Sequence, residues 1–249
     1  MCRSFAHLAD ERTSDGIYST GLGVQIGNPG SNYSAQPLRC LPHGPVLSAI
    51  GIPVGYKGQD YANRFVEELK AELELSAPQN VYIDTERLKG ATFYNEALGI
   101  QLCRSVCLVT LYWPQYFSKE HPFCSREFQA MERLEAARLR LLADPEEKTR
   151  SLIIILALRG FETIPEAIRE RRLCKNFFPY TQVPDLKKDT AFQKDIIEIA
   201  EYISGRVAAF QKVKPDPFGT CGDFRFLSNR AILRWIDKLP GKPRRKLPR

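Results

Sequence analysis

Between residues 118 and 127 the chain reads Ser-Lys-Glu-His-Pro-Phe-Cys-Ser-Arg-Glu. Glu127 is the residue here best placed for chemistry. It follows an apolar run, Val106 to Tyr112, and stands at the opening of a helical pattern expected over Ser125 to Leu142. Open α/β sheets bind ligands in the crevice outside the carboxyl ends of their strands. A carboxylate in the first turn behind a buried strand can there oppose a positive charge that develops in a bound molecule. The same placement also suits a glutamate that does no more than complement the helix dipole. Other polar or aromatic groups recur at expected strand exits. Tyr56 and Lys57 lie in Gly55-Tyr-Lys-Gly-Gln-Asp60, after the apolar stretch Val46 to Val54, and Asp84 ends Val81-Tyr-Ile-Asp. Trp113 and Tyr116 follow Val106 to Tyr112. Each has a plainer alternative: a polar turn for Tyr56 and Lys57, loop capping for Asp84, and packing beneath a loop for the two aromatics.

The elements that must position these residues are legible as periodicity. Val46 to Val54 reads as a strand, although Pro53 lacks a ladder donor. Asp60 can cap a helix in which Phe65, Leu69 and Leu73 share one face. Val81 to Asp84 is a short strand, and Phe93 to Cys103 a helix with Phe93, Ala97, Ile100 and Leu102 turned inward. Val106 to Tyr112 and Ser151 to Leu158 are near-continuous apolar runs, the pattern of strands buried on both faces. Phe177 to Thr181 is a candidate last strand. Thr190 to Val213 is an amphipathic helix carrying Phe192, Ile196, Ile199, Ile203, Val207 and Phe210. Strands alternating with helices imply right-handed βαβ units and an α/β fold. The expectation is a flavodoxin-like parallel sheet of about five strands, order 2-1-3-4-5, with helices on both faces.

Residues 1–44, rich in Gly, Ser, Asn and Pro, are expected to be a loosely ordered extension, residues 45–213 the folded domain, and residues 214–249 a C-terminal extension. Within the last of these, Phe218 to Asp237 carries aromatics and a short helical pattern (Ala231, Ile232, Trp235, Ile236) that can dock on the domain or on a partner. The glycines of Gly21-Leu-Gly23-Val-Gln-Ile-Gly27 miss the dinucleotide spacing by one position, and no strand pattern precedes them.

Bulk properties narrow the class. At 249 residues, 43% hydrophobic and 26% charged, the composition is that of a globular protein. The formal charge of +7 is partly local, because six basic and no acidic residues lie between Lys238 and Arg249. That tail can attract a nucleic acid weakly, but it holds no aromatic side chain on which bases could stack. Seven irregularly spaced cysteines argue against a disulfide framework and against structural zinc, and Cys103 and Cys107 are expected to pack in the core. With no signal-like apolar stretch near the start and no run of membrane-span length, a reduced, cytoplasmic protein without a membrane segment is expected. No G-x-x-x-x-G-K-[ST] occurs, which excludes a P-loop NTPase. A phospho-receiver would need carboxylates where Gly55-Tyr56 and Leu111-Tyr112 stand.

From about Val46 to Phe210 the residues resemble the bacterial TIR (Toll/interleukin-1 receptor) domain. Gly55-Tyr-Lys-Gly-Gln-Asp60 looks like that family's first-strand exit, and Val81-Tyr-Ile-Asp-Thr-Glu-Arg-Leu-Lys-Gly90 its strand B and BB loop. Ser105 to Ser118 is similar to strand C and its exit, and Phe123-Cys-Ser-Arg-Glu127 to the Trp-Cys-x-x-Glu signature of the following helix. Ser151 to Gly160, with Ile164-Pro165, is similar to strand D. Gly55 in place of serine, Pro53 within the first strand and Phe123 in place of tryptophan depart from the pattern.

The resemblance implies a flavodoxin-like fold and an NAD+ hydrolase. Such an enzyme cleaves the nicotinamide–ribose bond and gives nicotinamide with ADP-ribose or a cyclic form. Nicotinamide in NAD+ is already a cationic leaving group, so the site needs mainly a carboxylate to stabilise an oxocarbenium-like ribose. Glu127 takes that catalytic role. Tyr56, Lys57, Asp84, Trp113 and Tyr116 are then candidate substrate contacts, and Arg87, Leu88, Lys89 and Gly90 a BB-loop interface for self-association. NAD+ is a substrate here, with no cofactor or metal required. A separate sensor protein and activation by oligomerisation, in antiphage defence or cell suicide, would fit. The alternative is a non-catalytic TIR adaptor or scaffold that signals through TIR–TIR contacts.

Overall fold

The computed structural model of the chain describes residues 21–25, 46–50, 56–76, 80–83, 94–120, 122–215, 217–218 and 221–239. Six strands among them form one sheet: β1 (Gly21–Gln25), β2 (Val46–Ile50), β3 (Asn80–Ile83), β4 (Ser105–Tyr112), β5 (Ile153–Ala157) and β6 (Leu173–Asn176). Their order is β1-β3-β2-β4-β5-β6, with β1 antiparallel to its neighbours and the other pairings parallel. At the centre, Leu108 faces Ile153 and Tyr112 faces Ala157. Every residue of β4 and β5 is buried, as their unbroken apolar runs anticipate. The α/β class with parallel strands is therefore present.

The helices are α1 (Tyr56–Ser76), α2 (Tyr94–Arg104), α3 (Pro122–Arg138), α4 (Pro145–Thr149), α5 (Glu166–Arg169), α6 (Thr190–Gln211) and α7 (Asn229–Lys238). Helix α1 packs against α6, while α3 packs against α2 and α7. Phe65, Leu69 and Leu73 of α1 are fully buried, as are Phe192, Ile196, Ile199 and Ile203 of α6. Both sets are the apolar stripes legible in the sequence. Arg64 ties these helices' surroundings together, donating to Val183 O at 3.0 Å and Pro184 O at 2.8 Å. Helix α6 starts where Asp189 accepts from Phe192 N at 2.8 Å, an ordinary N-cap. Among the described residues no helix is long and apolar enough to cross a membrane.

Several boundaries differ from the expectation. Helix α1 starts at Tyr56, so Tyr56 and Lys57 occupy its first turn rather than a loop, and Asp60 lies inside it. Strand β2 ends at Ile50, before Pro53 could interrupt a ladder. The last strand is Leu173–Asn176, whereas residues 178–182 form a 3-10 turn around Pro179, which has no N–H to give a neighbour. In α2 the buried residues include Leu98, Leu102 and Cys103, whereas Ile100 is only half-buried, and Phe93 and the Ala97 side chain lie outside the described residues. Gly21–Gln25, placed in the loosely ordered extension, adds a strand to β3 and β2.

The cysteine expectation is also corrected. Cys103 does not merely fill the core; it forms a disulfide with Cys221 across 118 residues of sequence. The Cα atoms lie 5.7 Å apart, a normal span for the bond. Docking of the C-terminal segment brings the two together, which irregular spacing could not reveal. A disulfide is uncommon in a reducing compartment, so this bond departs from the reduced state expected from the sequence.

Candidate active site

The site grows from the end of β4. Tyr112 closes the strand, and its hydroxyl lies 3.0 Å from Thr163 O and 3.1 Å from Thr163 Oγ1. The chain then reverses in two tight turns, with Tyr116 N donating to Trp113 O at 2.8 Å and Ser118 N to Gln115 O at 2.9 Å. These turns swing Tyr116 and Phe117 back beneath α3. Pro122 opens that helix at a position where a missing N–H costs nothing. Starting there, α3 places Glu127 in its second turn, not the first turn of the Ser125 start expected from sequence.

The start of helix α3 is covered around most of its circumference. Ser125, Arg126, Glu127 and Phe128 are all buried, and Glu127 is 1% exposed. Ser125 Oγ donates to Tyr116 O at 3.3 Å, tying the helix to the strand exit. Tyr116 and Phe117 meet edge to face at 4.9 Å, and Phe117 and Phe128 at 5.0 Å. Trp235 of α7 closes this cluster from outside, 6.0 Å from Phe117 and 6.1 Å from Phe128. Such offset and edge-on pairings present ring edges to ring faces, the favoured aromatic arrangement.

Electrostatically the site is desolvated. Burial drives the Tyr116 phenol well above its usual range, and the nearby Cys124 and Glu127 push it the same way. Burial also raises the Cys124 thiol, with Glu127 adding to the effect. Both groups are therefore neutral at ordinary pH. Tyr116 Oη is buried and has no hydrogen-bond partner among the described residues. Were the site to open, a neutral hydroxyl near a carboxylate, walled by rings, could donate to a ligand oxygen while the carboxylate opposed a positive charge; as folded, Tyr116 and Glu127 are 4% and 1% exposed. In low dielectric that charge interaction is stronger than in water.

The expected site residues separate into groups. Glu127 and Tyr116 come together. Trp113 is half-buried and turns toward the β5 exit, where the Arg159 guanidinium lies 5.8 Å from its ring centre. Tyr56 and Lys57 stand in the first turn of the helix that follows β2. Asp84, Arg87, Leu88, Lys89 and Gly90 lie outside the described residues. The structure also adds residues. The Arg126 guanidinium sits between two rings, 5.0 Å from Phe123 and 4.9 Å from Phe226. No pattern in the sequence marked Arg126, but the Ala231, Ile232, Trp235, Ile236 spacing did mark a helix ready to dock. A cavity of about 470 Å³ lies elsewhere, bordered by Leu142, Asp144, Glu147, Gly205 and Lys212.

No family model, curated protein or solved structure matches the chain.

Proposed function

We propose that this chain is a TIR-type NAD+ hydrolase in which Glu127 stabilises the oxocarbenium-like ribose while nicotinamide departs. The parallel strands β3-β2-β4-β5-β6 are read as the flavodoxin-like order 2-1-3-4-5, in support of which β2 lies parallel to both β3 and β4. The observation that carries the reading is that buried Glu127 lies near the Tyr116 hydroxyl, which has no hydrogen-bond partner among the described residues, just beyond the carboxyl end of β4. Carboxylate, hydroxyl and ring walls are the groups that a cationic pyridinium nucleotide needs. The protein acts in the cytoplasm, where the Cys103–Cys221 bond would be reduced, as an antiphage or cell-suicide effector, switched on by self-association through Arg87, Leu88, Lys89 and Gly90 when a separate sensor responds. Tyr56, Lys57, Asp84 and Trp113 complete the substrate contacts.

The test is nicotinamide release from NAD+ by concentrated, assembled protein. Wild type should release it, and Glu127→Ala should lose activity by roughly a hundredfold or more, as for loss of a major electrostatic group. Equal release by the two would sink the assignment.

A second reading is a non-catalytic adaptor. It is favoured by the closure of the site, since Glu127 is 1% exposed. An assembled complex that never cleaves NAD+, and whose assembly fails on Lys89→Glu, would decide for it.

A further inference from the structure

We propose that residues 221–239 form a strap that closes the Glu127 site, locked by the Cys103–Cys221 disulfide and released when a dithiol reduces it. The inference rests on the catalytic reading of Glu127 and adds its regulation.

The strap is anchored at its first residue. Cys221 bonds to Cys103 in the last turn of α2. From there Phe224 and Phe226 lie along α2 over Gly99. A Cβ at that glycine would stand 3.5 Å from Phe226 Cε2 and 3.6 Å from Phe224 Cδ1, ordinary contact distances. Phe226 continues under the Arg126 guanidinium, and Trp235 rests on Phe117 and Phe128. The strap therefore covers both sequence neighbours of Glu127 and the cluster that holds Tyr116. Ile232 and Ile236 are fully buried beneath α7.

Apart from this apolar packing, the polar ties are light. Lys119 and Asp237 form an ion pair at 2.7 Å, but both side chains are more than half exposed, so the pair holds little. Helix α7 has ten residues, and isolated helices of that length are marginal in water. Its order therefore depends on docking. The disulfide adds a covalent tie to the anchor that buried Phe218 gives three residues earlier, 5.5 Å from Phe210 and 4.3 Å from the Arg138 guanidinium, and cutting it leaves the segment held by that anchor and by its own packing alone.

Release is a thiol–disulfide exchange. A thiolate of the dithiol attacks one sulfur of the pair, and the other leaves as a thiolate and takes a proton. The reductant's second thiol then closes its own disulfide and frees the remaining cysteine. In sum, two electrons and two protons pass from the dithiol to Cys103 and Cys221. The strap would be closed in an oxidising compartment and open in a reducing one.

Hydrogen exchange of the full chain, followed by mass spectrometry with and without dithiothreitol and with thiols counted, tests this. After reduction, amides of 221–239 and 116–128 should exchange roughly tenfold faster or more, while those of β5 keep their protection. Complete reduction with unchanged exchange over 116–128 overturns the strap. Cys221→Ser should reproduce the opening without reductant. Should that variant lose protection in β5 as well, it has unfolded, and the dithiothreitol arm decides alone. Nicotinamide release is read in parallel. Read on concentrated, assembled protein, a rise on reduction supports the strap as an inhibitor, and equal, measurable release in both states overturns it. Opening of the assembled protein with no release in either state sinks the catalytic reading and leaves the strap supported.

Discussion

Arg172 Nη1 stands 2.6 Å from Glu135 Oε2, with side chains only 9% and 6% exposed. Around this pair, Glu135 Oε1 accepts from Ser151 Oγ at 2.7 Å and Leu152 N at 2.6 Å, and Arg172 Nη2 reaches Glu132 at 3.0 Å. The network pins α3 to the start of β5, at the amino end of the strand. Removing one member leaves the other charge buried and uncompensated. Arg172→Met is expected to lower stability by about 3–5 kcal/mol, measured by urea unfolding. A loss below about 1 kcal/mol would mean that solvent reaches the pair.

Gly160 is a second point of constraint. Its φ of +66° lies in the left-handed region, and an added Cβ would stand 2.8 Å from both Pro114 Cγ and Thr163 Oγ1. Gly160→Ala should cost about 1–3 kcal/mol in backbone strain and contact. Because Pro114 belongs to the turn that carries Tyr116 inward, thermal unfolding should show the loss and the Tyr116 environment should change with it. An unchanged melting temperature would contradict this.

Tyr116→Phe separates packing from chemistry. The ring stays, while a buried hydroxyl without a partner among the described residues is removed. Stability should hold or rise by up to about 1 kcal/mol, and nicotinamide release should fall by roughly tenfold or more, as when a transition-state donor is lost. Retained activity would assign Tyr116 to the aromatic cluster alone.

Lys175 supplies a pH dependence with a definite sign. Burial lowers its pKa, but hydrogen bonds from its ammonium to Asp195 and Glu198, each at 2.7 Å, outweigh that and raise it overall. A base raised on folding contributes stability that is full below its unfolded pKa and is lost as pH rises through the folded value. The stability advantage of wild type over Lys175→Met should therefore be constant near neutrality and shrink above about pH 10.4, the ordinary lysine value. Denaturant midpoints across that range would show it, and an advantage that grows with pH would refute the pairing.

The central strands and the longest helix were legible because their signals are local. An unbroken apolar run such as Val106 to Tyr112 has nowhere to go but the middle of a covered sheet, and the stripe from Phe192 to Phe210 repeats at helical spacing. Helix starts were read less well. Tyr56 and Lys57 fall in a first turn and Glu127 in a second, since where a helix begins depends on capping and docking more than on periodicity. Among the candidate site residues, Tyr116 joined Glu127 while Trp113 turned to Arg159, a divergence produced by two turns whose direction no spacing encodes.

By itself, then, the sequence determined the α/β class, the buried strands and Glu127 as the carboxylate beyond the β4 exit, all consequences of apolar patterning along short stretches. Only the tertiary structure decided that Cys103 meets Cys221 across 118 residues and that α7 lays Trp235 over the rings beside Glu127. Those contacts join segments far apart in the chain, and they form only when burial of Ile232, Ile236 and Trp235 outweighs the entropy of closing the loop.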